Sequence, residues 1–141
     1  MQFIIINMLP ISLAMISGAM LLWSLFGNRV RGVNEVDCVA ALQLINHKNA
    51  LVLDVREDAE YKTGHVLNAM LIPLGKLGER AGELEKYKER PIVAVCRSGG
   101  RSARACAMLG KLGFANAYSL AGGIMAWEKS SLPLEKTTGK K

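Results

Sequence analysis

Two short apolar runs constrain the fold of this chain more than any other feature of its sequence. The first lies within residues 50–56 and ends in the charged side chains of Asp54 and Arg56, and the second, residues 92–95, ends at Cys96. Runs of this length that carry apolar residues on both faces are typical of parallel strands buried between helices. Both runs therefore predict strands in the interior of a sheet.

Segments with helical spacing alternate with these runs along the chain. Asn34 is a good N-cap residue, and the apolar residues after it predict a helix. Two more strands are predicted over residues 69–74 and 116–120. Further helices are predicted over residues 57–63, 76–87, 99–112 and 122–127. This alternation indicates an α/β fold with a largely parallel sheet, in which sites form beyond the carboxyl ends of the strands. Cys96 occupies such a position.

The first 28 residues carry no charged side chain, and Arg29 and Arg31 follow them directly. At about 1.5 Å per residue, the apolar stretch 3–26 is long enough to cross a hydrocarbon core of about 30 Å. It lacks the positive n-region of a cleaved signal peptide. With the arginines on its C-terminal side, it predicts a single-pass anchor in the inner (cell) membrane and a domain that faces the cytoplasm.

The remaining sequence predicts one domain over residues 29–134 and a basic, disordered tail over residues 135–141. The chain has 141 residues and a formal charge of +6. A basic surface favours anionic partners. Because no dense run of Lys and Arg with interleaved aromatic residues is present, we expect no nucleic-acid partner.

The three cysteines, Cys38, Cys96 and Cys106, form no CxxC pair and no metal-binding pattern with the two histidines. An odd number of cysteines without such spacing is not a disulfide framework and is typical of a reducing compartment. Cys38 and Cys106 fall in predicted helices, where we expect them to pack as small apolar residues. We expect neither a metal nor a cofactor.

The segment after the second apolar run concentrates the chemistry of the chain. It reads Cys-Arg-Ser-Gly-Gly-Arg-Ser over residues 96–102. A tight glycine loop that opens a helix directs several backbone N–H groups at one point, where they favour negative charge. A cysteine at that point is expected to be partly in the reactive thiolate form. We therefore predict Cys96 as the catalytic nucleophile. The predicted substrate-binding residues are Arg97, Ser98, Gly99, Gly100, Arg101 and Ser102.

The position of the second loop arginine separates two kinds of cysteine enzyme. Phosphate-cleaving cysteine enzymes carry the pattern Cys-x5-Arg, which cradles a tetrahedral phosphate. Here Arg101 comes one residue earlier, so the pattern is Cys-x4-Arg. The shorter loop forms a smaller cradle, which suits a sulfur atom on the cysteine better than a phosphate.

Three separated segments make the chain resemble the rhodanese family of sulfurtransferases. They are Leu-Asp-Val-Arg-Glu at residues 53–57 with its continuation to Pro73, the loop at residues 96–102, and Leu-Ala-Gly-Gly-Ile-Met-Ala-Trp at residues 120–127, closing with Pro133. In this order and spacing they are highly specific, and they cover residues 33–134. One departure is Leu67-Asn68, where the family often has Pro-Gly. Asn tolerates left-handed backbone, so the turn can survive.

The resemblance implies a rhodanese-like α/β domain, with a mainly parallel five-stranded sheet flanked by helices, behind one transmembrane helix. It implies a cycle in which Cys96 accepts a sulfane sulfur, holds it as a persulfide and passes it to a thiol or another nucleophile. Arg97 and Arg101 would attract anionic donors such as thiosulfate. Asp54 and Arg56 would support the site, and His65 would be a structural residue near a turn.

Two other functions remain open at this stage. The domain could be a binding or scaffold module that its anchor delivers to a membrane-protein partner, with an incidental thiol. It could also be an oxyanion enzyme of the phosphatase or arsenate-reductase type, which the loop length disfavours. Addition of one sulfur to Cys96 by a donor would distinguish the first reading from both.

Overall fold

A computed structural model describes residues 2–30 and 33–137, and the chain divides into two compact units, residues 1–32 and 33–141. The α-helices are α1 Gln2–Val30, α2 Cys38–Lys48, α3 Asp58–Thr63, α4 Leu77–Arg80, α5 Gly100–Lys111 and α6 Gly123–Lys129. The strands are β1 Asn34–Val36, β2 Leu51–Asp54, β3 His65–Val66, β4 Met70–Leu71, β5 Ile92–Val95, β6 Ala117–Leu120 and β7 Leu134–Glu135. Short 3-10 helices, Leu74–Lys76 and Ala81–Tyr87, flank α4.

The first unit contains α1, a helix of 29 residues with Pro10 inside it. Large apolar side chains of this helix, among them Ile4, Leu13 and Trp23, are exposed. Within residues 2–30 and 33–137, no helix combines the length and the apolar character that a membrane span requires. The structure thus places a helix where the anchor over residues 1–28 was predicted, but does not support it as a membrane span.

In the second unit, five parallel strands form one sheet in the order β1-β6-β5-β2-β4. The central strands β2 and β5 pair from Leu51 with Ile92 to Asp54 with Val95. All residues of both strands are buried, as the continuous apolar runs predicted. The five-stranded parallel sheet is therefore confirmed. Residues that follow β2 and β5, including Cys96, come together at one edge of the sheet because the strands run in the same direction.

Helices cover both faces of the sheet, since successive strand residues point to opposite sides. One core contains Leu51, Leu53, Ile92 and Ala94, packed with Leu77, Leu84, Cys106 and Leu109. The other contains Val52, Val93 and Val95, packed with Cys38, Ala41, Ile124 and Trp127. Cys38 and Cys106 therefore pack in the core, as predicted.

The start of the second unit differs from the prediction. Asn34 is not an N-cap, because Asn34–Val36 pairs in parallel with Tyr118–Leu120 as the outer strand β1. The helix begins later, at Cys38, and the Asp37 carboxylate accepts the Ala40 N–H at 2.8 Å as its cap. The secondary structure of this segment depends on a pairing partner more than 80 residues away. A local sequence pattern carries no information about such a partner.

Two other segments were also predicted incompletely. Residues 76–87 form the short helix α4 between 3-10 turns instead of one helix. The strands β3 and β7 form a separate antiparallel pair, which joins His65 to Glu135. The first residue of the predicted tail is therefore in a strand, while residues 138–141 of that tail lie outside the described residues. Asn68 is left-handed with a φ of 60°, so the turn that replaces Pro-Gly is kept.

Candidate active site

Cys96 directly follows β5, and loop 97–99 joins it to α5. The loop turns back on itself at Gly99, whose φ of 113° is in the region that favours glycine. This turn aims the Gly99 N–H at the sulfur, to which it donates at 2.9 Å. Gly100 differs from Gly99, since a Cβ there would meet no heavy atom within 4 Å. Only the first glycine of the pair is thus required by the backbone.

Two buried serines lie behind the sulfur. Ser102 Oγ, on the first turn of α5, is 3.5 Å from Cys96 Sγ and donates to the Gly99 carbonyl at 3.0 Å. Ser119 Oγ, on β6, is 2.8 Å from Ser102 Oγ. The thiol donates to Ser102 in this arrangement, and once the thiolate forms the same hydroxyl can turn to donate to the sulfur.

Hydrogen bonds decide the acidity of this thiol. Burial has the largest single effect and raises the pKa of Cys96, because it removes water from the charged form. Hydrogen bonds from the Ser102 hydroxyl and from the backbone N–H groups of Ser102, Gly99 and Ser98 oppose burial and together lower the pKa of Cys96 below its ordinary value of 9.0. The site therefore favours a thiolate although Cys96 is only 1% exposed.

The third sequence motif holds the loop from behind. The Ile124 N–H donates to the Cys96 carbonyl at 2.8 Å, and the Met125 N–H donates to the Arg97 carbonyl at 3.2 Å. Gly123 approaches this peptide so closely that a Cβ would lie 2.6 Å from the Arg97 carbonyl carbon and oxygen, and nearer still to the Cys96 oxygen. The N-terminus of α6 thus supports the loop through backbone contacts alone, and it requires glycine at position 123.

Arg101 turns to a carboxylate outside the loop. Its two terminal nitrogens donate to Glu60 of α3 at 2.7 and 2.9 Å, a bidentate pair. The pKa of Glu60 is lowered from 4.5 to about 2, and hydrogen bonding from Arg101 is the largest cause. In return Glu60 raises the pKa of Arg101, and the nearby Cys96 and Asp54 charges act in the same direction.

Asp54 and Arg56 form a second, buried ion pair at the end of β2. Arg56 donates to both Asp54 oxygens, with the shortest contact at 2.8 Å, and its Nη2 also donates to the Gly64 carbonyl at 2.7 Å. This places the pair between the end of β2 and the turn after α3, the helix that carries Glu60. The pair contacts neither Cys96 nor its loop by a hydrogen bond among the described residues, so its geometry is that of a support for α3.

The predicted substrate-binding residues, 97–102, therefore fall into three groups. Ser98, Gly99 and Ser102 surround the sulfur of Cys96 with donors. The side chain of Arg97 and the residue Gly100 are at the exposed rim, and Arg101 is paired with Glu60. His65 is elsewhere, stacked on Tyr61 with ring centroids 3.7 Å apart and buried at β3. In the part of the chain that the structure describes, no three His, Cys, Asp or Glu side chains cluster as a metal site would require.

Three residues that shape the site were not predicted from the sequence: Glu60, Ser119 and Gly123. Glu60 is the acidic residue at the third position of α3, where a helix cap alone explains it. Ser119 is a polar residue in an otherwise buried strand, which is a usable signal, since buried hydroxyls need partners. Gly123 was interpreted as part of a helix start and of the third motif, without a contact to the Cys96 loop.

Comparison with known proteins agrees with this fold. The sequence model of the rhodanese-like domain family matches residues 38–130 of this chain. The chain belongs to the rhodanese-like domain family. It is 36% identical over 108 residues to a sulfurtransferase of Allochromatium vinosum, covering 76% of this chain and 99% of that protein. It is 37% identical over 102 residues to the putative sulfurtransferase YtwF of Bacillus subtilis, covering 72% and 96% respectively.

Solved structures show the same fold. The crystal structure of a rhodanese-related protein from Thermoplasma volcanium matches with a TM-score of 0.64 and 33% identity, covering 72% of this chain and 97% of that one. The residues that the family model matches, 38–130, include Cys96 and the residues that contact its loop.

Proposed function

We propose that this protein is a sulfurtransferase that carries a sulfane sulfur on Cys96. One observation carries the proposal: backbone and hydroxyl donors converge on Cys96 Sγ and lower the pKa of this buried thiol. The same donors suit the negatively charged terminal sulfur of a persulfide, which would take over the position of the thiolate charge. The sulfurtransferase names of the relatives from Allochromatium vinosum and Bacillus subtilis support this assignment.

The proposed cycle has two displacement steps at sulfur. First, the Cys96 thiolate attacks the outer sulfur of the donor, the donor's S–S bond breaks, and the leaving group departs with the electron pair. That group is sulfite when thiosulfate is the donor and a thiolate when a persulfide is the donor. Second, an acceptor thiolate attacks the terminal sulfur, and Cys96 leaves as a thiolate stabilised by the Gly99 N–H and the Ser102 hydroxyl.

Small anionic donors such as thiosulfate fit the exposed, basic rim of the site. Arg97 is exposed on the loop, next to Cys96 in sequence, and the chain carries 18 Lys and Arg against 12 Asp and Glu. A positive rim raises the local concentration of anions and their rate of encounter. We propose thiosulfate as the first donor to test, with a low-molecular-weight persulfide beside it, and a small thiol as acceptor.

The test is the intact mass of the full chain after mixing with each donor. We expect one added sulfur atom, located on Cys96 by peptide mapping and removed by a thiol acceptor. Cys96→Ser is expected to gain none. If neither donor adds sulfur to the wild-type protein, the enzyme assignment is wrong and a binding role is favoured. Hydrolysis of an aryl phosphate that depends on Cys96 would favour the oxyanion enzyme.

We further propose that residues 1–28 attach the domain to a membrane, with the catalytic unit on the cytoplasmic side. The support is the charge-free sequence of this segment, the helix Gln2–Val30 that includes most of it, and the arginines at positions 29 and 31. Fractionation of cells that express the full chain tests this. Recovery of the protein with the membranes supports attachment, and recovery in the supernatant contradicts it.

A further inference from the structure

The segment 96–102 carries two arginines, Arg97 in the loop and Arg101 in the first turn of α5. Their surroundings differ. Arg101 has both terminal nitrogens on the carboxylate of Glu60, in a fork-to-fork arrangement that saturates the outer edge of its guanidinium. Arg97 is exposed, and none of the ion pairs among the described residues includes it. One of the two positive charges on the loop is therefore matched by a negative one, and the other is not.

The neutralised charge lies within electrostatic range of the reacting sulfur. The charges of Cys96 and Asp54 both raise the pKa of Arg101, whose neighbour Ser102 contacts Cys96 Sγ. A ligand held at Cys96 would thus lie within the range in which the net charge of the Arg101–Glu60 pair matters. A free guanidinium attracts a dianion about twice as strongly as a monoanion at the same distance, whereas a neutral pair attracts both weakly.

We infer that Glu60 is a specificity-determining residue, which lowers the preference of the site for dianionic sulfur donors by pairing with Arg101. This inference rests on the proposed sulfur transfer at Cys96. It assigns Arg97 as the loop arginine that attracts anionic donors, and Arg101 as a positioning residue that joins the loop to α3. Because Glu60 neutralises Arg101, the site attracts every anionic donor less strongly. A donor with a single negative charge, or a small persulfide, loses less of this attraction than thiosulfate does.

The sharpest test compares thiosulfate with methanethiosulfonate, in which a methyl group replaces one charged oxygen. Both donors transfer the same outer sulfur to the Cys96 thiolate. The S–S bond breaks in each, and sulfite or methanesulfinate leaves with the electron pair. The ratio of the two kcat/KM values for persulfide formation therefore reports how the site responds to one negative charge on the donor.

In the full chain carrying Glu60→Gln, we expect this ratio to rise about three- to tenfold in favour of thiosulfate, because one positive charge is unmasked. The amide keeps the size of the side chain and one hydrogen bond to Arg101. The control is Asp58→Asn on the same helix. Asp58 is exposed and pairs with Lys62 at 3.0 Å, not with the loop. This variant removes the same charge and should leave the ratio within about twofold of wild type.

A double variant locates the effect. Arg101→Gln alone leaves the Glu60 carboxylate unpaired and should lower the ratio, and Glu60→Gln in that background should return it to within about twofold of wild type, because the pair is then removed as a neutral unit. A double variant that keeps the raised ratio of Glu60→Gln would contradict the inference. So would a Glu60→Gln protein that loses activity equally with both donors, since that result assigns Glu60 a purely structural role.

A second comparison does not depend on the folding of Glu60→Gln. Arg97→Gln should reduce kcat/KM for thiosulfate at least about fivefold and lower the ratio of the two donors, because Arg97 is the unmatched positive charge of the segment. An unchanged ratio in Arg97→Gln would overturn the inference. Failure of the proposed function itself is seen separately, as the absence of persulfide on wild-type Cys96 with either donor.

Discussion

Cys96 and Cys106 belong to the same core cluster and have opposite chemistry. Both are buried, with exposed fractions of 1% and 5%. Burial alone acts on Cys106 and raises its pKa to about 12. Burial also raises the pKa of Cys96 more than any other single cause, but four hydrogen-bond donors reverse the result. The difference between a structural and a reactive thiol in this domain is therefore a difference in donors and not in exposure.

The source of those donors explains why the pKa values of the two thiols are shifted in opposite directions. Cys106 lies inside α5, where the backbone N–H groups of neighbouring residues bond to carbonyls of the previous turn. Cys96 lies before α5, where the first N–H groups of the helix have no such partners. The loop turn at Gly99 directs these groups at the sulfur. The same helix thus buries one thiol, whose pKa is raised, and offers donors to the other, whose pKa is lowered.

The prediction with the largest expected effect is that Cys96, and not Cys106, forms the persulfide. We expect Cys96→Ser to lose persulfide formation by at least about a thousandfold, since no other thiolate is available to attack the donor. Cys106→Ala should keep more than half of the wild-type rate. Intact mass after reaction with thiosulfate measures both, and sulfur found on Cys106 would show that the burial argument is wrong.

The next largest effect is expected at Gly123, which contacts the loop of Cys96 through its backbone. Gly123→Ala places a methyl group against the Cys96–Arg97 peptide at a φ of 58°. We expect a loss of about 2–4 kcal/mol in the free energy of unfolding, together with slower persulfide formation. Gly110→Ala in α5 is the control. A Cβ there meets nothing within 4 Å, and the change should stabilise the protein by up to about 1 kcal/mol. Equal effects from the two variants in urea unfolding would contradict the tight contact.

A smaller effect is expected from Ser102. Its hydroxyl lowers the pKa of Cys96, whereas burial alone acts on Cys106. Ser102→Ala removes the donor with the largest pKa-lowering effect on Cys96. Since a hydrogen bond contributes about 1 kcal/mol, we expect alkylation of Cys96 near neutral pH to slow about fivefold. The profile of rate against pH should also move to higher pH. Ser130→Ala, at an exposed position after α6, should leave the profile unchanged, and an unchanged profile in Ser102→Ala would refute the role of the hydroxyl.

The smallest effect concerns the outer side of the loop, where Glu60 pairs with Arg101. The pKa of Glu60 is about 2 in the folded chain, against an ordinary value of 4.5. A lowered carboxyl pKa contributes stability that is fully present above about pH 4.5 and is lost as the pH falls toward 2. Both side chains are about one-third exposed, so we expect less than about 1 kcal/mol.

Urea unfolding of wild type and Glu60→Gln measures this contribution at two pH values. The wild type should be the more stable protein at about pH 6, and the gap should shrink by about pH 3. A gap that grows on acidification would show that the pair does not stabilise the loop. Asp58→Asn, which removes an exposed charge from the same helix, provides the reference for general charge effects.

The sequence was informative where local pattern and position in the fold agree. The apolar run Ile92–Val95 predicted a buried strand, and its end placed Cys96 at the carboxyl edge of the sheet before a glycine turn and a helix. These relations are local, so a single stretch of chain contains all of the information. The donors around Cys96 follow from them, because a helix start always offers free N–H groups.

Contacts between distant segments could not be predicted in this way. Glu60 and Arg101 are 41 positions apart, and nothing in either segment identifies the other as its partner. Arg101 was therefore predicted as a free anion-binding group, whereas it is paired. Asn34 was predicted as a helix cap for the same reason, since its actual role depends on pairing with Tyr118 of β6.

The order of strands in the sheet has a consequence for the protein during its synthesis. β6 lies between β1 and β5, although it is made after both of them. Until residues 117–120 leave the ribosome, the sheet lacks an inner strand and β1 lacks its neighbour. The start of α6, which supports the Cys96 loop, is made later still. The contacts that hold the Cys96 loop in place are therefore complete only when almost the whole domain has been translated.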